Sequence, residues 1–185
     1  MKLLTCDAKT LMQGLKAAAK IEALLCQEAW LQRYQFEEEW DTDVKMARFS
    51  NGQGDDIFVL ESPDGVIIKG FDHESIVSPY ARADHSLWPG MFEGIPPTLS
   101  KLLDDPAVVK EDATFVHWLS ENTDKWQRGS VKFSNNETDG SDWLLDMLPL
   151  TAGSYIKAAR NYFEEGFEAF DHRLIYQQFE FKEGS

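Results

Sequence analysis

Three β-rich runs joined by two short turns constrain the fold more than any other feature of the sequence. The runs cover residues 44–49, 56–61 and 66–71, and the separators are Asn51-Gly52-Gln53-Gly54 and Ser62-Pro63-Asp64-Gly65. Glycine reaches the positive φ angles that tight hairpins need, and proline presets φ at the start of a turn. The sequence therefore predicts a meander of three antiparallel strands.

Helical patterns flank this meander on both sides. After Asp7, a suitable N-cap, apolar residues recur at helical spacing and predict a helix to about residue 35. A second long helix is expected from Thr151, with a continuing apolar stripe and a break near Gly166. The stripes consist of Leu11, Leu15, Ala18, Ile21, Leu25 and Ala29, and of Tyr155, Ala158, Ala159, Tyr162, Phe163, Phe167, Phe170 and Leu174.

The remaining segments complete one domain over residues 1–185. Further strands are expected at residues 114–119 and 129–133, and a short helix from Pro96-Pro97 to about residue 103. Residues 37–43 and 135–141 read as solvated loops, and the tail at 176–181 fits either a strand or a helix end. The predicted fold class is α+β, with an antiparallel sheet of about five strands packed against long N-terminal and C-terminal helices.

A strongly negative charge narrows the classes of partner. The chain carries 32 acidic and 18 basic residues, a formal net charge of −14. The excess is spread evenly, since residues 1–92 hold 15 acidic and 9 basic residues, and residues 93–185 hold 17 and 9. Such a field repels nucleic acid and anionic membranes and attracts basic proteins or cations. We therefore expect no nucleic-acid or membrane partner; the alternative role of the charge is solubility.

The two cysteines indicate a reducing compartment. Cys6 precedes the first predicted helix and Cys26 lies far along it, and a helix of ~20 residues is ~30 Å long, beyond the span of a disulfide. Both are therefore expected to be free thiols. The sequence has no signal-peptide pattern and no apolar run of about 18 residues, so a cytoplasmic location is expected.

Residues 72–95 have neither helical nor strand periodicity, and long irregular connections are often functional. Carboxylates and imidazoles of this segment are candidates for a metal site or an acid–base pair. In an extended chain Asp72 and Glu74 would face one side and His73 the other, so a shared site needs a turn. The alternative is that Asp72 and Ser75 cap a turn at the end of the strand. The candidate metal ligands are Asp72, His73, Glu74, Asp84 and His85.

No enzyme motif accompanies these residues. The sequence lacks a Gly-x-Ser-x-Gly elbow, a His-Glu-x-x-His pair and a phosphate loop, and Gly52-x-Gly54 fits a hairpin turn better than a dinucleotide fingerprint. We therefore predict no catalytic residue and no cofactor. His117 lies between Val116 and Trp118 in an apolar run, so a hydrogen-bonded core histidine or a barrel-face histidine is expected there.

Two tryptophans stand among carboxylates and form the best candidate for a partner surface. Trp40 lies within Glu37–Asp43 and Trp143 within Asp139–Asp146. Tryptophan is enriched at interface hot spots, and surrounding carboxylates attract Lys or Arg of a partner. The alternative is that each tryptophan turns inward beneath a charged loop. The candidate partner-binding residues are Glu38, Trp40, Asp41, Asp142 and Trp143.

Several short stretches resemble a family of uncharacterised bacterial proteins. They are Lys69-Gly70-Phe71-Asp72-His73-Glu74-Ser75, Ser78-Pro79-Tyr80, Trp88-Pro89-Gly90, Thr114-Phe115, Trp118, Trp126-x-x-Gly129 and Asp139-Gly140-Ser141. The resemblance covers roughly the middle half of the chain. It implies a bacterial cytoplasmic protein in which the loop over residues 70–90 is characteristic, and it implies no activity.

These observations lead to two hypotheses about function. The first is a non-enzymatic binding protein, immunity-type or regulatory, that engages a basic protein through an acidic, aromatic-containing surface. The second is a small metal-assisted enzyme of the hydrolase type with its site in the 72–85 loop. They differ in one structural consequence, since the second requires the candidate ligands to converge on one pocket.

Overall fold

A computed structural model describes residues 2–133 and 138–180 of the chain. Within these ranges six strands form one sheet in which every neighbouring pair is antiparallel and consecutive in sequence. The strands are β1 (Tyr34–Asp41), β2 (Val44–Ser50), β3 (Asp56–Ser62), β4 (Gly65–Phe71), β5 (Phe115–Ser120) and β6 (Gln127–Arg128). The α+β class is confirmed, with six strands in place of about five.

The central strands bury side chains on both faces of the sheet. Val59 and Ile68 contribute to one apolar core, and Leu60 and Ile67 contribute to a second core on the opposite face. Successive side chains of a strand point to opposite faces, so a run of consecutive apolar residues needs cover on both sides. The sheet is accordingly the middle layer of the molecule.

Helices cover one of these faces. Helix α1 (Ala8–Leu25) starts after Asp7, whose carboxylate accepts a hydrogen bond from the backbone N–H of Thr10 at 2.6 Å. It packs against β1 and against the C-terminal helix. A Cβ on Gly14 would lie 2.1 Å from the carbonyl oxygen of Pro149, so only glycine allows this close approach.

The segment between β4 and β5 covers the other face. It contains a 3₁₀ turn at Pro79–Ala81 and one helix, α2 (Pro97–Leu102), which confirms the irregular segment and the short helix predicted from sequence. Met91, Leu99 and Val108 from this segment are fully buried against the second core. A mostly irregular segment, with the short helix α2, thus covers this face of the sheet.

The first helix ends ten residues earlier than predicted, at Leu25 and not near residue 35. The buried carboxylate of Glu22 accepts the backbone N–H of Arg33 at 2.5 Å and its guanidinium at 2.6 Å. Arg33 also donates to the carbonyl oxygen of Ala158 at 3.2 Å. The chain must turn back directly after the helix to make these bonds, because an unpaired buried charge would cost several kcal/mol.

The acidic run predicted as a solvated loop is mostly strand. Residues 37–41 belong to β1, and the turn is confined to Thr42 and Asp43, the latter at φ 57°. β1 is an edge strand, so its carboxylates reach water without leaving the sheet. Lys16 on α1 pairs with Glu38 and reduces the repulsion within the run.

Three assignments near the C-terminus also differ. The strand expected at 129–133 is replaced by β6, because Gly129 lies against the carbonyl oxygens of Gly90 and Met91. The long C-terminal helix is divided into α4 (Ala152–Phe163), α5 (Glu165–Glu168) and α6 (His172–Phe179), after the short α3 (Ser141–Leu144). The first break falls at Glu164, where φ is 47°, and not at Gly166, and a second lies between Glu168 and His172. Residues 134–137 of the expected polar loop and residue 181 of the tail lie outside the described residues.

Both cysteines are free thiols, as predicted. Burial raises the pKa of the Cys6 thiol and of the Cys26 thiol, which leaves neither activated as a nucleophile. In the part of the chain that the structure describes, no helix has the length and apolar character needed to cross a membrane.

His117 on β5 is buried without the hydrogen bond expected for it. Its side chain stacks on Phe115 at 5.2 Å between ring centroids, and neither ring nitrogen has a hydrogen-bond partner among the described residues. Burial first, and the charge of Arg128 second, lower the pKa of His117 from 6.5 to about 3. The imidazole is therefore neutral in the folded protein near pH 7.

Replacing this imidazole should stabilise the protein, most strongly in acid. His117→Leu is expected to raise the free energy of unfolding at pH 7 by about 1–3 kcal/mol, since it removes buried polar atoms without partners. As pH falls from 6.5 towards 3, histidine takes up a proton in the unfolded chain and not in the folded one, so wild-type stability falls and the gain in the variant grows. Urea unfolding between pH 7 and pH 4 measures both effects. A constant difference across this range would contradict the assignment.

Candidate functional site

A loop between β2 and β3 fixes the carboxylate of Asp55. The side-chain oxygen of Asn51 accepts the backbone N–H of Gln53 at 2.8 Å and that of Asp55 at 3.2 Å. The Asn51 amide donates to the Asp55 carboxylate at 2.6 Å. A single asparagine thus closes the tight loop and holds a buried carboxylate just before β3 begins.

Asp72 occupies the equivalent place after β4. Its backbone N–H donates to the hydroxyl of Thr114 at 3.1 Å, and its Oδ1 accepts the backbone N–H of Glu74 at 3.1 Å. The Ser75 hydroxyl accepts the N–H of Val77 at 3.3 Å. The interpretation of Asp72 and Ser75 as turn caps is therefore confirmed, and the same turn brings Asp72 and His73 towards one site.

His73 joins the two carboxylates. Its Nδ1 lies 2.7 Å from Oδ1 of Asp55, and its backbone N–H donates to the same oxygen at 2.9 Å. One potential ligand atom from each of Asp55, Asp72 and His73 lies within 4.8 Å of the other two. Two buried carboxylates and a half-exposed imidazole therefore form one cluster.

Trp143 on α3, which is distant in sequence, also contacts the cluster. Its indole N–H donates to Oδ2 of Asp72 at 3.0 Å. The preceding Gly140 has φ 81°, and a Cβ there would lie 2.4 Å from the Cβ of Asp72, so glycine is required for α3 to start this close. Trp143 and Asp72 are consequently one structural unit.

These residues line a cleft of about 500 Å³, which we call the acidic cleft. The two carboxylates are buried, whereas Ile76 and Trp143 are 53% and 38% exposed. The cleft is lined by Asn51, Gln53, Asp55, Asp72, His73, Glu74, Ser75, Ile76, Thr138 and Trp143. It thus combines buried negative charge with accessible apolar surface.

Hydrogen bonds favour the ionised forms of Asp55 and His73. Burial acts to raise the pKa of Asp55, but hydrogen bonds from His73 and Asn51 outweigh it and hold that pKa below its usual value. The hydrogen bond to Asp55 raises the pKa of His73. Asp55 and His73 therefore behave as an ion pair over a wider pH range than free side chains.

The structure brings together some of the predicted metal ligands and not others. Asp72 and His73 lie in the cluster. The Glu74 side chain is 86% exposed, with its carboxylate 3.9 Å from Nε2 of His73. Asp84 accepts hydrogen bonds from Ser86, and His85 makes an edge-to-face contact with the ring of Tyr80. In the described residues, Glu74, Asp84 and His85 are not part of any cluster of three ligand-type groups.

The predicted partner residues fall into two separate places. Asp142 and Trp143 are exposed beside the acidic cleft. Glu38, Trp40 and Asp41 lie towards the end of β1, near the opposite end of the sheet, and strands of this length span roughly 20 Å. The Trp40 indole donates to Asp105 at 3.1 Å and packs on the second core, which fits the inward alternative.

Asp55 was missed from sequence, although a signal for it exists. The turn at residues 62–65 pairs Ser62 with Gly65, and this register runs back to Asp56 opposite Phe71. Continuing by one residue sets Asp55 beside Asp72. Counting the hairpin register from the turn would have found the pair.

Comparisons of the chain with protein-family models, with curated proteins and with solved structures gave no match. The geometry and chemistry of the site itself are therefore the basis for its function.

Removing the Asp55 charge should lower the pKa of His73. Asp55→Asn deletes the carboxylate whose hydrogen bond raises that pKa, so the imidazole should release its proton at lower pH. An NMR titration of the His73 ring measures this directly. Glu74→Gln is the matched control, because Glu74 makes a weaker, longer contact with the same ring and should cause a smaller change. Equal changes in both variants would contradict the assigned ion pair.

Proposed function

We propose that the protein binds a basic protein partner and receives an arginine side chain of that partner in the acidic cleft. Such a binder is of the immunity or regulatory type and is not an enzyme. The observation that carries the proposal is the pair of buried carboxylates, Asp55 and Asp72, beneath the exposed side chains of Ile76 and Trp143.

The buried carboxylate of Glu22 and the half-buried carboxylate of Asp56 each have a strong cation beside them. Glu22 pairs with Arg33 at 2.6 Å, and Asp56 pairs with Lys69 at 3.0 Å. Asp139 is also buried, but it accepts hydrogen bonds from the backbone N–H and the hydroxyl of Ser141 and does not line the acidic cleft. Among the described residues neither Asp55 nor Asp72 pairs with a lysine or an arginine. A cation from outside the chain would supply the positive charge that Arg33 supplies to Glu22.

The donors around Asp72 leave room for such a cation. Each carboxylate oxygen accepts one neutral hydrogen bond, from the backbone of Glu74 and from the indole of Trp143. An ionised carboxylate has about four acceptor positions, so further donors can be accommodated. A guanidinium offers five N–H donors in a planar fork and is more weakly hydrated than an ammonium, which favours arginine over lysine.

The exposed side chains at the edge of the acidic cleft and the net charge of the chain also favour an arginine. Ile76 and Trp143 offer apolar surface to the methylene stem of a long side chain, and an indole face also attracts a guanidinium. A net charge of −14 steers a basic protein towards the surface. Steering of this kind depends on ionic strength.

An arginine probe tests the cleft without knowledge of the partner. N-acetyl-arginine amide should bind with a Kd in roughly the millimolar range, since one side chain supplies only part of an interface. The measurement is the NMR shift of the Trp143 indole N–H during titration. Asp55→Asn and Asp72→Asn should each weaken binding about tenfold or more, and N-acetyl-citrulline amide, which is uncharged, should not bind.

Asp84→Asn is the matched control, because it removes one negative charge on an exposed residue outside the cleft. It should leave arginine binding nearly unchanged. If Asp84→Asn weakens arginine binding as much as Asp55→Asn and Asp72→Asn do, the binding reflects the overall negative charge and not the acidic cleft. If the Trp143 indole signal does not shift, arginine does not bind in the cleft and the proposal is refuted.

A second candidate is a divalent metal ion in the same cluster, which is the site a metal-assisted hydrolase would need. The specific observation is that ligand atoms of Asp55, Asp72 and His73 lie within 4.8 Å of one another. Two carboxylates and one imidazole suit zinc or manganese and would leave coordination positions open to the cleft.

His73 distinguishes the two candidates. Zinc needs a neutral imidazole, so its binding should release a proton from His73 and should be lost in His73→Ala. Arginine binding should persist in His73→Ala or become tighter, because a competing positive charge is removed. Calorimetry with zinc chloride in two buffers of different ionisation enthalpy detects the proton release, and absence of zinc binding would remove the metal candidate.

A further inference from the structure

Strand β1 presents an open edge. In the described chain it pairs only with β2, at the end of the sheet order. The carbonyl oxygen of Arg33 accepts the N–H of Ser50 at 2.8 Å, and this register directs the backbone groups of residues 35 and 37 to β2. Residues 36 and 38 therefore direct theirs outward. The N–H groups of Arg33 and Tyr34 both bond to the Glu22 carboxylate, at 2.5 Å and 3.3 Å, so the start of the strand is already occupied.

A groove of about 580 Å³ runs between this edge and α1. Ala19 and Ala23 line it from the helix, and Phe36 lines it from the strand. Lys16 and Lys20 stand along the same wall. Space and partly apolar surface thus lie directly beside the outward backbone groups of Phe36 and Glu38.

The two faces of β1 differ in chemistry. Phe36 packs towards the helical core, and Glu38 pairs with Lys16 of α1. Gln35 and Glu37 point to the opposite face, where both are exposed. A strand added at this edge would meet apolar residues on one face and negative charge on the other.

We infer that β1 accepts an extended segment of a protein partner in which apolar residues alternate with lysine or arginine. The apolar side chains lie over Ala19, Ala23 and Phe36, and the basic ones lie beside Glu37. Addition of a strand to a sheet edge is a general mode of peptide recognition in which main-chain bonds give affinity and alternate side chains give specificity.

Charge argues against a second copy as the occupant. Two copies that each carry a net charge of −14 repel one another, and parallel in-register pairing of β1 with itself would set the acidic run 37–41 against the same run. The register shift between Glu37 and Asp41 also ends regular pairing after Glu37, so the segment reaches the outward backbone groups of Phe36 and Glu38 and no further. The inference stands independently of the acidic cleft.

A ten-residue peptide of alternating valine and lysine is the probe. Hydrogen exchange of the Phe36 and Glu38 amides, followed by NMR, should slow at least tenfold on binding, while the Gln35 and Glu37 amides, already bonded to β2, should not change. A valine–glutamate peptide and a valine–lysine peptide N-methylated on alternate residues are the controls. Protection by either control, or protection of no β1 amide, would overturn the inference.

Variants of Glu38 distinguish the contribution of its backbone N–H to peptide binding from that of its side chain. Glu38→Pro removes the outward N–H, which an edge strand tolerates, and should abolish peptide binding. Glu38→Ala keeps that N–H and should retain binding. Retained binding in Glu38→Pro would overturn the inference. Asp55→Asn and Asp72→Asn should leave peptide binding intact, so failure here and failure of the acidic cleft are distinguishable.

Discussion

Both faces of one sheet must be removed from water, and the rest of the molecule follows from this constraint. Val59, Leu60, Ile67 and Ile68 are almost fully buried, two on each face. Burying such side chains is worth about 1.5–3 kcal/mol each, so neither face can remain exposed. Helices cover one face, and the chain between β4 and β5 covers the other. That irregular layer begins at Asp72, where side-chain hydrogen bonds replace the strand ladder and also shape the acidic cleft.

The parts of the fold that were predictable depend on local chemistry. Turn residues at 51–54 and 62–65 fix β2, β3 and β4 within about a residue of their predicted bounds. The errors arise where distant contacts decide. Helix α1 stops because Glu22 bonds to Arg33, and β1 forms despite its charge because it lies at an edge facing water. Neither cause is visible in the periodicity of the segment itself.

The residues of the acidic cleft differ in the same way: those beside a predicted strand were predictable, and contacts between distant positions were not. Asp72 and His73 were found because they follow a predicted strand, and Asp55 was within reach through the hairpin register. Trp143 was predicted as a partner residue, but its bond to Asp72 joins positions 71 residues apart. No pattern in a single sequence encodes such a contact. Asp84 and His85 were included because they are near in sequence, and the turn at Ser78 to Arg82 carries them away from the cluster.

Buried carboxylates in this fold are treated in two ways, and the difference bears on function. Arg33 lies beside Glu22 and Lys69 lies beside the half-buried Asp56, whereas Asp139 accepts hydrogen bonds from Ser141. In the cleft the neighbours are neutral donors and one histidine, whose proton can leave at accessible pH. A histidine cation can be displaced by losing a proton, whereas a buried arginine cannot. Under the proposed function, an arginine of the partner therefore replaces the His73 cation when that imidazole loses its proton.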